Sequence, residues 1–90
     1  AIGLDANYTD AYLNRGIVLY QLRQYSEAIE DYGQVLLLDP ERIEAYAHLA
    51  RAYTMIEDQD KVMENIQQLI DKGVDVTELS SELLNLSESQ

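Results

Sequence analysis

A 34-residue repeat is the feature that most constrains this chain, because a periodic sequence builds the same structural unit several times. When residues 9–42 are laid over residues 43–76, the size and polarity classes match along the alignment although few residues are identical. Residues 1–8 align in turn with residues 35–42, so we expect the chain to begin inside a repeat. The identities that mark the period most clearly are Ala11 with Ala45, Tyr12 with Tyr46, Glu30 with Glu64, and Gln34 with Gln68.

Each period has the pattern of two amphipathic helices. In the first period, apolar residues recur every three or four positions from Tyr12 to Leu22, and again from Tyr25 to Leu36. The change of phase between the two runs predicts a turn at residues 22–24, although this segment holds no Gly or Pro. In the second period the same spacing predicts helices over about residues 41–56 and 59–72.

The residues after the second period predict one further helix. Val76, Leu79, Leu83 and either Leu84 or Leu86 form a single apolar stripe, and polar residues occupy the other face. A terminal helix with a polar outer face is what closes a helical array. The expected organisation is a tail of a truncated preceding repeat over 1–8, a repeat over 9–42, a divergent repeat over 43–76, and a capping helix with a frayed tail over 77–90.

The first period has a recognisable set of large, small and aromatic residues at fixed positions: Tyr12, the small residues Gly16 and Ala28, the aromatic residues Tyr25 and Tyr32, and the closing Pro40. In this pattern it closely resembles the tetratricopeptide repeat (TPR) family, which often has Trp at the place of Tyr12. This resemblance implies an all-α fold: a right-handed helical-repeat solenoid of antiparallel helix pairs, here with a C-terminal capping helix.

The chain departs from the family pattern at several positions. Arg15 stands where the family usually has Leu, and Arg23 replaces the usual turn Gly. In the second copy, Gln59 replaces the aromatic residue, Val62 the small Ala, and Val74 the Pro. These changes weaken the second copy as a match, but they leave its helical phase intact.

Charge and composition exclude several classes of function. The chain carries 17 acidic residues against 6 Lys and Arg, for a net charge of -11, so neither a nucleic-acid partner nor an anionic membrane surface is expected. It has no cysteine and one histidine, His48, which removes the common metal sites and the thiol nucleophile. The acidic run at residues 57–60 lacks the Gly and the distal Glu of an EF-hand loop. We therefore expect no metal, no cofactor and no enzymatic activity.

The resemblance implies that the first helix of each repeat lines a concave groove, and helical spacing puts the same residues on one face. The expected function is protein–protein interaction, as part of an adaptor or scaffold that binds a peptide or a partner helix, with a neutral to basic partner favoured by the charge. The expected peptide-binding groove residues are Leu13, Asn14, Ile17, Tyr20, Gln21, Ala47, His48, Arg51, Thr54 and Met55, with Asp10 and Glu44 on the same face.

The sequence leaves three questions open. The groove face is either functional, merely solvated, or covered by a neighbouring repeat. The segment is either a ligand-binding module or a structural spacer that self-associates into a homo-oligomer through the helix around Tyr12 to Leu22. Arg15 and Arg51 are either ligand contacts or ion-pair partners of nearby acids. The compartment is not determined, although the absence of cysteine favours the cytoplasm.

One subclass of the family binds the acidic tails of heat-shock chaperones through a clamp that holds two carboxylates. Asn14 matches one residue of that clamp by position. However, Glu44 and His48 stand where the clamp needs Lys and Arg, and a Glu there repels a carboxylate. The sequence therefore disfavours this ligand class.

Overall fold

The computed structural model describes residues 6–88, with side chains from residue 8 onwards. This part of the chain contains helices and turns but no strand, which confirms the all-α helical-repeat fold. Of the predicted tail at 1–8, residues 1–5 lie outside the described residues, as do residues 89–90 of the predicted frayed end. The helices are α1 (Ala6–Gln21), α2 (Tyr25–Leu38), α3 (Ile43–Met55), α4 (Gln59–Asp71) and α5 (Thr77–Glu88). The division into repeats at residues 9, 43 and 77 stays a prediction.

Contacts between α1 and α2 show that the pair is antiparallel. Next to the turn, the rings of Tyr20 and Tyr25 meet edge to face with centroids 5.3 Å apart. Further from the turn, Arg15 forms two hydrogen bonds to the carboxylate of Asp31, at 2.7 and 2.8 Å. Asp31 is buried, so this pair explains why a cation replaces the family's usual Leu at residue 15.

The turns inside both helix pairs use the left-handed backbone conformation. Arg23 has φ 67° and Glu57 has φ 62°, and the two residues occupy equivalent places in the two pairs. The N–H of Gln24 donates to the carbonyl of Leu19 at 2.8 Å, which is the long bond of a Schellman turn. The turn predicted at residues 22–24 is therefore present without glycine, because helix-end hydrogen bonds hold Arg23 in a conformation that glycine adopts more readily.

The boundary between the two helix pairs is a turn that begins at Asp39. The side chain of Asp39 accepts a hydrogen bond from the N–H of Glu41 at 3.2 Å, and its carbonyl accepts from Arg42 at 3.1 Å. Because residues 39–42 are used in this turn, α3 begins at Ile43. The predicted start near residue 41 was therefore two residues early.

A first hydrophobic core joins α1, α2 and α3. Helix α3 packs against both members of the first pair, so this core is shared between the two pairs. Tyr32, Val35 and Ala28 from α2 are almost completely buried in it. The remaining buried members of this core are Leu13 from α1 and Ala45, Leu49 and Ala52 from α3.

The first core depends on a close approach between α1 and α2 at Gly16. A Cβ atom placed on Gly16 would lie 2.6 Å from Cε1 of Tyr32, which is closer than carbon atoms pack. The buried ring of Tyr32 therefore occupies the space that a side chain at residue 16 would need. This explains why Gly16 stands at one of the two positions where the family has a small residue.

A second, smaller core attaches the terminal helix. Ala50 of α3, Val62 of α4 and Leu83 of α5 are its buried members, and Ile66 and Leu79 pack around them. Leu83 is the only residue of α5 that is buried among the described residues. The terminal helix therefore lies on α3 through one apolar stripe, as the sequence pattern predicts for a closing helix.

We predict opposite effects on stability for two Gly→Ala changes in helix interiors. Gly16→Ala gains about 0.5–1 kcal/mol of helix propensity but overpacks against Tyr32 by about 1–3 kcal/mol, so we expect a net loss near 1 kcal/mol. Gly33→Ala meets no atom within 4 Å, so it should gain about 0.5–1 kcal/mol. Urea unfolding followed by circular dichroism measures both, and a stabilised Gly16→Ala would contradict the close packing.

Candidate functional site

The first helix of each pair and the terminal helix lie side by side in the order α1, α3, α5. Helix α3 contacts α1 on one side and α5 on the other. Positions one repeat period apart are equivalent, so Asn14, His48 and Glu82 form one row across the three helices. We call the surface that carries these rows the α1–α3–α5 face. It is the surface on which the sequence predicted a groove.

Eight of the ten predicted groove residues are exposed or half-buried. Asn14 and Gln21 of α1 are exposed, and so are the flanking acids Asp10 and Glu44. The half-buried members are Ile17, Tyr20, Ala47, His48, Arg51 and Met55.

Two of the predicted groove residues are buried instead. Leu13 is 7% exposed and belongs to the first core, which α1 shares with α2 and α3. Thr54 is 3% exposed, and its hydroxyl donates to the carbonyl of Ala50 at 2.8 Å. Leu13 and Thr54 therefore serve packing and are not wall residues of an open groove.

His48 is held between an aromatic ring and a cation. Its ring stacks on Tyr32 with centroids 5.2 Å apart and planes 17° apart. Its Nδ1 lies 3.3 Å from the guanidinium of Arg51, which can only donate, so Nδ1 accepts and the imidazole is neutral. Burial and the positive charge of Arg51 both lower the pKa of His48 below its ordinary value.

Tyr32, on which His48 stacks, and the half-buried Tyr20 stay neutral as well. Burial raises the pKa of Tyr32 to about 12. Burial also raises the pKa of Tyr20, against a smaller opposing effect of Arg51. Tyr20, Tyr32 and His48 are therefore uncharged at neutral pH, and of the three only the half-buried Tyr20 and His48 keep accessible surface, because Tyr32 is buried.

Arg51 is an ion-pair partner, which was one of the two alternatives that the sequence left open. Its Nε and Nη2 donate to the two carboxylate oxygens of Glu82 at 2.7 and 3.1 Å. The pair connects α3 to α5 and neutralises the positive charge expected in the groove. Sequence reasoning missed Glu82, although it falls one repeat period after His48 and the period alone would have put it on this face.

Acidic residues recur at one repeat position along the same face. Asp10, Glu44 and Glu78 are spaced by one repeat period each, near the starts of their helices or in the first turn. Arg42, which sequence reasoning also missed, bridges the first two through its Nη1, at 2.9 Å from Asp10 and 3.4 Å from Glu44. A ladder of carboxylates therefore crosses the face with one bridging cation between two of its members.

Two observations bear on other kinds of site. Across the described residues, no group of three or more His, Cys, Asp and Glu side chains has an arrangement that would hold a metal ion. Within residues 6–88, none of the helices combines the length and the hydropathy that crossing a bilayer requires.

The two helix pairs pack on each other, their first helices lie side by side, and the close approach at Gly16 requires a small residue. Together these features define a helical-repeat protein. Comparison with known families gives the particular class: residues 9–42 match the model of the tetratricopeptide repeat. Residues 9–42 therefore form a tetratricopeptide repeat. Repeats of this family generally mediate interactions between proteins.

Known relatives match part of the chain. RNA polymerase II-associated protein 3 from human, rat and mouse is 39% identical over 51 residues. The match covers 57% of this chain and 8% of the length of each relative. No solved structure matches the chain significantly.

The lowered pKa of His48 predicts a loss of stability at mildly acidic pH. Below its ordinary pKa of 6.5, the unfolded chain binds more protons at His48 than the folded chain, so the free energy of unfolding falls as pH falls. His48→Gln should therefore lose less stability than the parent between about pH 7.5 and about pH 5.5. Urea unfolding at both pH values tests this, and an NMR titration midpoint of His48 above 6.5 would contradict it.

Proposed function

We propose that this domain is a protein-interaction module that binds a peptide segment or a partner helix across the α1–α3–α5 face. The observation that carries the proposal is the position of Asn14 and Gln21, which are exposed beside the half-buried Ile17 and Tyr20. Polar groups next to partly accessible apolar groups are what a helix face needs to bind an extended or helical peptide. The family's general role in protein interaction supports the same function.

The charge of the face favours a neutral to basic partner. Asp10, Glu44 and Glu78 contribute carboxylates along it, whereas Arg51 is already paired with Glu82. An acidic ligand would therefore meet repulsion without a free cation to bind it at this position. The chaperone-tail ligand class that the sequence disfavours is disfavoured by this pairing too.

A non-catalytic role fits the environment of the one histidine. His48 is neutral, but its Nδ1 already accepts from Arg51, and its ring is stacked on Tyr32. A general base needs a lone pair directed at a substrate and an orienting partner on the other nitrogen. The contacts of His48 therefore support a packing and positioning role.

The relatives support the coarser part of this proposal. Their name describes an association with RNA polymerase II. For this chain we propose only that the partner is a protein, because the match covers a small part of each relative. A cytoplasmic location stays a prediction.

Peptide display against the purified domain tests the interaction face. We expect a shared peptide motif whose binding weakens at least tenfold in the double variant Asn14→Ala, Gln21→Ala, because both side chains are exposed and their removal leaves the core intact. The matched control is Gln34→Ala, Gln68→Ala, which changes exposed residues on α2 and α4 instead. Equal binding by both double variants would contradict the proposed face.

Self-association is the second candidate, and the outer surface of α1 favours it. Tyr8 and Val18 of α1, and Leu22 in the turn directly after it, are 62%, 51% and 61% exposed and fall on one side of the helix, which we call the apolar stripe. An apolar stripe of this kind is a site for association with another surface. In this alternative, a second copy of the chain covers the stripe and no separate ligand exists.

Sedimentation velocity over a range of concentrations tests self-association. In this alternative the mean mass rises with concentration, and Val18→Ser together with Leu22→Ser abolishes the rise. Met63→Ser is the control, because Met63 is 62% exposed on α4, which does not contact α1 among the described residues. A strictly monomeric parent protein would eliminate the self-association alternative.

A further inference from the structure

A cleft of about 440 Å³ opens between α3, the segment that follows α4, and α5. This volume lies in the range of about 300–1,000 Å³ that is typical of ligand-binding clefts. Its floor is apolar: Leu69 is buried there, and the half-buried side chains of Val74, Val76 and Leu79 surround it. The cleft is therefore shaped to accept an aliphatic chain.

The rim of this cleft is strongly acidic. Four carboxylates, those of Glu44, Asp75, Glu78 and Glu82, line it together with a single cation, Arg51. Each of Glu44, Asp75 and Glu78 is exposed, so the desolvation penalty of these charges is small. The potential at the mouth of the cleft is accordingly negative, which attracts a cation from solution.

The cations already nearby do not balance this charge. Arg51 is committed to Glu82 through two hydrogen bonds, and Arg42 reaches Glu44 only at 3.4 Å while it also bonds to Asp10 at 2.9 Å. Over the part of the chain with described side chains, no Lys or Arg makes a salt bridge to Glu78. One further positive charge can therefore be added at the rim with a gain in electrostatic energy.

We propose that this cleft binds a lysine or arginine side chain of a protein partner. The aliphatic stem lies on Val74, Val76 and Leu79, and the charged head lies between Glu44 and Glu78. Long cationic side chains combine an apolar stem with a charged tip, so this occupant matches both the floor and the rim. The inference rests on the proposed function and adds to it the chemistry of one anchoring residue in the bound segment.

NMR titration of the whole domain with two capped tripeptides tests the cleft directly. The probes are acetyl-Leu-Lys-Leu-amide and the same peptide with norleucine in place of Lys, which keeps the stem and removes the charge. We expect the lysine peptide to shift the backbone amide signals of residues 74–82 and the norleucine peptide to bind at least fivefold more weakly. Equal affinities for the two peptides, or shifts confined to other residues, would overturn the proposal.

Variants of the rim provide the second measurement. Glu44→Gln with Glu78→Gln should weaken binding of the lysine peptide about tenfold, because each carboxylate contributes a partly exposed ion pair. Glu30→Gln with Glu57→Gln removes the same number of charges from exposed positions outside the cleft and should leave binding within about twofold. Equal losses in the two double variants would show a nonspecific charge effect and overturn the proposal.

The outcome of peptide display also distinguishes a failure of the cleft proposal from a failure of the proposed function on which it rests. If displayed peptides bind in a manner that depends on Asn14 and Gln21 but show no preference for Lys or Arg, the interaction face stands and the cleft proposal fails. If no peptide binds the folded domain at all, both proposals fail. A fixed Lys or Arg in the displayed motif, lost in the Glu44→Gln, Glu78→Gln variant, supports both.

Discussion

The ring of Tyr32 is the contact on which the arrangement of the first three helices depends. It fills the space above Gly16 on α1, and it also stacks on His48 of α3. One buried side chain of α2 therefore sets the spacing of both neighbouring helices. Because α1 and α3 carry the proposed binding face, a packing contact in the core determines how far apart its polar groups lie.

The terminal helix extends this arrangement by one further row. Leu83 attaches α5 to the second core, and the Arg51–Glu82 pair fixes the helix from the surface. The same attachment has two consequences for charge. It neutralises Arg51, which is the one cation expected in the groove, and it brings Glu78 and Glu82 beside Glu44 to form an acidic cleft with an apolar floor.

Much of the fold was predictable because residues one repeat period apart occupy equivalent packing positions. The helical phase from Tyr12 to Leu36 gave the first pair of helices, and the family pattern at Gly16 and Ala28 gave their close approach. The turn at Arg23 was predictable from the change of phase and from the family's usual Gly at this position, whereas the helix-end hydrogen bonds that hold Arg23 in the left-handed conformation are seen only in the structure.

The sequence by itself determined which residues are periodic, apolar or charged, and hence the helices and the all-α repeat. It did not decide which periodic residues stay accessible, because burial depends on the neighbouring helix and helical spacing describes one helix at a time. Packing of α1 against α2 and α3 buried Leu13, and packing of α5 on α3 paired Arg51 with Glu82. The cleft between α3 and α5 likewise exists only in the tertiary structure, because its floor and rim come from segments far apart in the chain.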